Sequence, residues 1–472
     1  MAKQAKQQVG LVGLAVMGEN LALNIESKGF SVAVFNRTTA KVARFIENRA
    51  AGKNIVGTYS PRELCSVLER PRKIILMVKA GEAVDAMIAN FRPHLQRGDL
   101  LIDGGNSFFK DTERRLDNLA ADGILYIGTG VSGGEEGALL GPCIMPGGSR
   151  KAYALTKTIL ERSAAQVDGP CCTYIGPRGA GHYVKMIHNG IEYGMMQCIA
   201  EVYDILQGIL RLKAAEVSQT FGKWNSAELG GYLMEITTAC LARVDGDTGK
   251  PLVDVILDKA GQKGTGKWTS QNALDLGVAV PTIDMAVEAR ILSAFKDERV
   301  AASKVVKGPR VHRSSMNRTQ FIRGCRDALY VAVVACYAQG MALLREASRE
   351  YDYRLDLEAI ARIWKGGCII RSKLLDPIAA AYKRDPQLAN LLVDKRLARV
   401  VNTRTKSLRK VLAGAIAAGV PVLGLSSVLA YIDSYRTARL PQNLTQAQRD
   451  CFGAHTYERT DKKGVFHTQW IE

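Results

Sequence analysis

The sequence predicts a doubly wound α/β domain at the N-terminus, then a large all-helical domain and a C-terminal tail. Three observations carry this. Short apolar runs alternate with helical patterns from Gln8 to about Ile175, the signature of a parallel sheet with crossover helices. Long helical periodicities with few strand signals run from Gly181 to about Arg439. Leu440 to Glu472 then breaks that periodicity with Pro441, Gly453, Gly464 and several aromatic residues. The expected domains are therefore 1–180, 181–439 and 440–472. A chain of 472 residues also exceeds the ~250–300 at which a single core stops growing, so at least two domains are required.

Candidate strands are Gln8 to Leu11, Ser31 to Phe35, Arg72 to Met77, Leu100 to Ile102 and Leu125 to Ile127. Between them lie helical patterns such as Met17 to Ser27, Thr39 to Asn48 and Asp111 to Ala121. Parallel strands need such crossovers, so the N-terminal domain is expected to be Rossmann-like. Hydrophobic residues at 47% and charged residues at 23% argue for a packed chain and against disorder. No apolar run approaches the ~20 residues of a bilayer span, and Met1 to Gln8 is polar with no apolar segment behind it. A cytoplasmic protein is expected. Ten cysteines without C-x-x-C or metal-finger spacing point to reduced thiols, and the six histidines form no credible ligand cluster.

The formal charge of +18 invites a nucleic-acid reading. The basic residues are spread along the chain, densest from Arg299 to Arg326 and from Lys383 to Lys410, without a zinc-finger, helix-turn-helix or RRM pattern. A solvated surface, or a positive field near clefts for phosphate-bearing ligands, accounts for them better, so nucleic acid is not the expected partner.

The first chemical motif is Gly13-Leu14-Ala15-Val16-Met17-Gly18, a G-x-A-x-x-G dinucleotide fingerprint between a strand and a helix. Small residues let the backbone approach a pyrophosphate, and the helix N-terminus offers it unpaired N–H groups. At the end of the second strand, where an acidic residue would select NAD, stands Asn36-Arg37-Thr38. A guanidinium pairs with a 2′-phosphate that a carboxylate would repel, which favours NADP over the alternative of a merely solvated arginine. Val78-Lys79-Ala80-Gly81 and Asp103-Gly104-Gly105-Asn106-Ser107 also follow strands, where ligands of open sheets bind. Asn106 suits either the nicotinamide or the substrate, or simply a turn. In Gly130-Val131-Ser132-Gly133-Gly134, the Ser132 hydroxyl and the N–H groups of Gly133 and Gly134 suit a small acid's carboxylate or hydroxyl. A plain loop is the other reading.

Gly181 to Tyr193 reads as the start of a long helix. At about 100° per residue, Lys185, His188, Asn189 and Glu192 share one face, opposite an apolar stripe of Val184, Ile187, Ile191 and Met195. The polar face is expected to meet a cleft or solvent. Gly179 and Gly181 at the helix entry, and its place at a domain junction, favour the cleft.

Together these motifs resemble the 6-phosphogluconate dehydrogenase family from end to end. The likeness covers G-L-A-V-M-G, N-R-T, I-D-G-G-N-S and G-V-S-G-G-E-E-G, then K-M-I-H-N-G-I-E-Y from Lys185. It continues with G-Q-K-G-T-G-K-W from Gly261, Q-A-Q-R-D from Gln446 and F-G-A-H-T-Y from Phe452. The resemblance implies NADP-dependent oxidative decarboxylation of 6-phosphogluconate to ribulose 5-phosphate. It implies Lys185 as general base and Glu192 as general acid, with Asn106, Ser132, Gly133, Gly134, His188, Asn189 and Tyr193 holding the sugar acid. Phosphate recognition falls to Tyr193, Lys263, Arg290, Arg449 and His455, the last two supplied by a neighbouring subunit, which implies a homodimer with composite sites. Leu139-Leu140 and Cys451 depart from the family pattern. Shorter β-hydroxyacid dehydrogenases share the fingerprint and the lysine, but not the long helical region, the Gly261 block or the tail.

Overall fold

The computed structural model describes residues 6–309 and 317–471. Most of the polar N-terminal segment (1–5), the middle of the basic Arg299–Arg326 stretch (310–316) and residue 472 lie outside the described residues.

The sheet has strands β1 (Val9–Val12), β2 (Val32–Phe35), β3 (Ile55–Thr58), β4 (Lys73–Leu76), β5 (Leu100–Asp103), β6 (Leu125–Ser132) and β7 (Cys143–Gly148). Its order is β3-β2-β1-β4-β5-β6-β7. All neighbours from β3 to β6 pair in parallel, and β7 runs antiparallel to β6. Alternate residues feed opposite faces: Val9, Leu11, Val32 and Val34 pack with Leu21 and Ile25, while Val12, Ala33 and Phe35 pack with Leu64 and Phe91. Both faces are thus covered, which is why these strands read as continuous apolar runs. Strand order reverses at β1/β4, placing the crevice at the fingerprint.

The sequence anticipates five of these strands. β3 escapes because Gly57 interrupts it; a Cβ there would meet Val42 Cγ1 of the covering helix at 2.9 Å. β7 escapes because Pro146, Gly147 and Gly148 read as a loop. Proline is tolerated on this edge strand, and Gly147 is required because a Cβ would sit 2.1 Å from the Gly181 nitrogen. The Gly130–Gly137 stretch is not a plain loop either: Gly130–Ser132 end β6, and Gly134–Leu140 forms a helix.

The helical region is built around Ala180–Leu210 (31 residues) and Arg318–Glu350 (33 residues), with Lys395–Ala417 packed against the latter. One apolar cluster runs through them, including Val184, Ile187, Ile191, Val202, Leu329, Val333 and Tyr337. The expectation that no apolar run nears membrane-spanning length needs correction. From Ala328 to Leu344 the chain carries no charge, and Arg318–Glu350 passes the test of length and composition, with a mean hydropathy of 1.5 over a window that is 89% buried within the protein. It is the central helix of a core, and its neighbours cover the apolar surface that lipid would otherwise cover.

The closing segment is more structured than a simple tail. It forms a helix (Gln442–Gly453) and a hairpin of β8 (Tyr457–Glu458) and β9 (Val465–Phe466), folded around Asp450. That carboxylate accepts from Thr456 N (2.9 Å), Thr468 N (3.0 Å) and Trp470 Nε1 (2.7 Å), and lies 2.9 Å from His467 Nδ1. These hydrogen bonds hold it well below the usual carboxylate range even though its enclosure favours the neutral form.

Candidate active site

The Ala180–Leu210 helix is seated on the end of the sheet through glycines. A Cβ at Gly181 would meet the Gly128 and Met145 carbonyl oxygens at 2.3 Å, and one at Gly130 would meet Lys185 Cβ at 2.4 Å. Only bare backbones allow this approach, and it carries Lys185 to the carboxyl end of β6, beside Ser132. The helix is buried all round at this point: Lys185 is 6%, His188 0% and Asn189 9% exposed. The face expected to meet cleft or solvent meets a cleft.

There the polar side chains form one network. Lys185 Nζ donates to Asn189 Oδ1 (2.6 Å) and lies 3.4 Å from His188 Nδ1. Asn189 Oδ1 only accepts, so His188 Nδ1 donates to it (3.0 Å), which leaves Nε2 to accept from Ser132 Oγ (3.3 Å). Asn189 Nδ2 donates to Thr265 Oγ1 (3.2 Å). Glu192, two turns along, has a side chain 21% exposed at the cleft.

Burial dominates the electrostatics. It lowers the Lys185 ammonium pKa, with the Glu192 charge opposing, and it raises the Glu192 carboxyl, with Lys185 and Arg290 opposing. His188 is driven well below its ordinary range by burial and then by Lys185. Burial therefore shifts both groups toward their neutral forms, the protonation states a base and an acid need before they act.

The cleft has a volume of about 690 Å³ and is lined by Met17, Asn106, Ser132, Gly133, Gly134, Lys185, Asn189, Glu192, Tyr193, Lys263, Thr265, Arg290 and Ile369, among others. The Arg290 guanidinium stacks on the Tyr193 ring at 3.5 Å from its centroid, and Tyr193 packs on Gly266, where a Cβ would come within 2.5 Å of the ring. His188 stands behind the cleft wall, edge-on to Trp364 at 5.7 Å. Arg449 and His455, both exposed, are not among the residues lining the cleft of their own chain.

Sequence reasoning missed Thr265, Trp364 and Ile369. Thr265 lay inside a recognised block, yet only the fold shows that it receives the Asn189 amide. The Trp364–Ile369 segment closes the cleft from the helical side, where Cys143 N donates to Gly367 O (2.6 Å) and a Cβ at Gly133 would meet that oxygen at 2.8 Å. Gly366-Gly367 was the available signal, but a glycine pair announces a turn and not its partner.

The dinucleotide end opens into the same cleft at Met17. Gly13 has φ 102°, and a Cβ there would meet Met77 O at 2.4 Å. A Cβ at Gly18 would lie 1.8 Å from Gly13 O, so only glycine permits this turn. Asn36 braces it: Leu14 N donates to Asn36 Oδ1 (3.0 Å) and Asn36 Nδ2 donates to Thr38 O (3.1 Å). The Val16–Ser27 helix begins at Ala15 without a side-chain cap, so its first N–H groups face the crevice free for an anion. Arg37 and Lys79 are exposed, with Val78 and Ala80 half-buried beside them. The donor set fits a phosphorylated dinucleotide.

Comparison with known proteins gives a consistent result over the whole chain. Residues 8–176 match the NAD binding domain of 6-phosphogluconate dehydrogenase, and residues 181–470 match the 6-phosphogluconate dehydrogenase C-terminal domain. The NADP(+)-dependent, decarboxylating 6-phosphogluconate dehydrogenase of Bacillus subtilis (strain 168) is 58% identical over 469 residues, covering 99% of this chain and 100% of the relative. The decarboxylating 6-phosphogluconate dehydrogenase of Escherichia coli (strain K12) is 53% identical over 470 residues, with the same coverage. The solved Plasmodium falciparum 6-phosphogluconate dehydrogenase, studied in its apo form and in complex with NADP+ and with 6-phosphogluconate, superposes with a TM-score of 0.94 at 45% identity, covering 98% of this chain and 100% of its own. With both halves matched and relatives aligned along their full length, the chain belongs to the 6-phosphogluconate dehydrogenase family.

Proposed function

We propose that this protein oxidises and decarboxylates 6-phosphogluconate to ribulose 5-phosphate and CO2 with reduction of NADP. The observation that carries the reading is the buried Lys185 amine, lowered in pKa by its burial, facing one cleft with a carboxyl, Glu192, whose pKa burial raises. Residues 13–18, Asn36, Arg37, Thr38 and Val78–Ala80 would hold NADP, which when bound supplies the hydride acceptor. Ser132, the Gly133 and Gly134 amides, Asn106 and Asn189 would hold the carboxylate and hydroxyls of the sugar acid, with His188 behind the wall bracing Ser132 and Asn189 in place of the direct contact expected of it, and Tyr193, Lys263 and Arg290 would hold its phosphate.

Neutral Lys185 takes the 3-hydroxyl proton as the C3 hydrogen leaves with its electron pair. The 3-keto acid then loses CO2, because its own carbonyl accepts the electrons of the breaking bond, and Lys185 returns the proton to that oxygen. Glu192 protonates C1 of the resulting enediol while Lys185, now neutral, takes the proton back from that oxygen, leaving the ketone. The keto group thus does the work of an electron sink without a metal.

Arg449 and His455 would complete the phosphate site from a second copy of the chain. The hydrogen bonds of the tail stay within it among the described residues, and Leu444, Phe452, Val465 and Ile471 are 62–74% exposed, an apolar surface that a partner would cover. The exposed Leu140 and Cys451 are then candidates for the same contact. Ten free cysteines accord with a reducing, cytoplasmic setting.

The test is absorbance at 340 nm with 6-phosphogluconate and NADP or NAD, with chelator present and released CO2 trapped. Equal yields of NADPH and CO2, with NADP preferred, are expected. Reduction without CO2 would make this a simple hydroxyacid dehydrogenase.

A further inference from the structure

We propose that Arg115 is a positioning residue that holds the two cofactor-side loops in register and so sets the geometry in which hydrogen leaves the sugar acid. The inference rests on the dehydrogenase reading above.

Arg115 lies on the Phe109–Ala120 helix with its side chain 1% exposed. Its guanidinium spans the gap between the loops that follow β4 and β5. On the β4 side, Nε donates to Asp85 Oδ1 (2.9 Å), and Nη2 donates to Asp85 Oδ2 (2.8 Å) and to Gly81 O (2.9 Å). On the β5 side, Nη1 donates to Ser107 Oγ (3.3 Å) and lies 3.5 Å from Asp103 Oδ2. Asp103, fully buried, accepts in turn from Gly105 N (3.0 Å), Ser107 Oγ (2.6 Å) and Tyr126 OH (2.8 Å). Asn106 sits between two residues tied to Asp103, and Asp103 is tied to Arg115. The loops also touch directly, since a Cβ at Gly105 would lie 3.1 Å from Val78 O. Hydrogen bonding to Arg115 holds Asp85 down at about 2, so the clamp is ionised at any working pH.

The fold supplies its own control. Arg72 and Asp99 form a second buried pair between the same two strands, at 2.6 Å with side chains 8% and 2% exposed, but they stand before β4 and β5, at the end away from the crevice. If Arg115 only stabilised the sheet, the two pairs would behave alike. Placed where ligands bind in open sheets, Arg115 instead couples the Val78–Gly81 loop to Asn106. A lysine cannot reproduce this, because a point charge does not span a fork of donors.

The experiment compares full-length wild type with Arg115→Met, Arg115→Lys and Arg72→Met, all checked for folding by circular dichroism. The readouts are kcat, the primary isotope effect with 6-phosphogluconate deuterated at C3, and NADPH affinity by fluorescence titration without substrate. For Arg115→Met we expect kcat to fall about 10²-fold, as small misplacements of reacting groups do. The isotope effect should grow because hydrogen transfer becomes the slow step, and NADPH binding should weaken about tenfold as loop order is lost. Arg115→Lys should recover part of each loss, and Arg72→Met should lower stability alone. A folded Arg115→Met with wild-type kcat, isotope effect and NADPH affinity overturns the proposal. Should that variant not fold, Asp85→Asn, altering a side chain 37% exposed, is judged by the same criteria. A wild type that yields no NADPH from 6-phosphogluconate would instead overturn the dehydrogenase reading.

Discussion

Burial shifts the Lys185 and Glu192 pKa values in opposite directions, and the sign of each shift sets the pH profile. In the proposed mechanism Lys185 acts as the neutral amine, so turnover should rise as pH climbs through a pKa that burial lowers from 10.5. In the same mechanism Glu192 acts as the protonated acid, so turnover should fall as pH climbs through a pKa that burial raises from 4.5. kcat/KM should therefore be bell-shaped, with limbs belonging to the coupled pair, and Glu192→Gln should remove the alkaline limb. A pH-rate profile of that variant with the limb intact would take the acid role from Glu192. Lys185→Ala should lower kcat about 10²- to 10⁴-fold while NADP still binds, measured by turnover alongside cofactor titration. Both residues were legible as a pair because spacing along a helix sets their common face. Thr265 and Trp364 were not, since nothing in local sequence says which distant side chain will meet Asn189 or His188.

At the scale of elements, the same glycines that hid structure also build the site. Gly147 made β7 look like a loop, yet its missing Cβ admits Gly181 and lets the Ala180–Leu210 helix land on the sheet edge. Gly181→Ala would drive a methyl to 2.3 Å from two carbonyl oxygens. Overpacking of this kind costs about 1–3 kcal/mol, so Tm should drop by about 1–3 °C in a thermal scan, and kcat should fall with it because Lys185 rides on the displaced helix. An unchanged Tm would show that the seat tolerates a methyl. Periodicity located the long helices and five of the strands, because burial on one stripe or on alternate faces writes itself into local sequence. It failed for edge strands whose residues answer to a neighbour and not to the sheet. It also undercounted the uncharged Ala328–Leu344 run, whose neighbours in the bundle bury it.

At the scale of the whole molecule, the tail is the part that does not close on its own chain. Truncation before Leu440 should leave NADP binding intact, abolish self-association in sedimentation velocity, and raise the KM for 6-phosphogluconate. Losing charge-assisted contacts worth about 1.5–3 kcal/mol each corresponds to at least about tenfold. A truncated chain with wild-type KM would assign phosphate binding to Lys263, Arg290 and Tyr193 alone. By itself, the sequence determined the order of layers, the tight glycine turn after β1 and the common face of Lys185, His188, Asn189 and Glu192. Each of these follows from short-range covalent geometry and hydrophobic period. Only the tertiary structure decided that this face is buried, which moves both titrations, that Trp364–Ile369 closes the cleft, and that Arg449 and His455 stand away from it. Burial and convergence depend on residues hundreds of positions apart in the chain, and local periodicity carries no record of them.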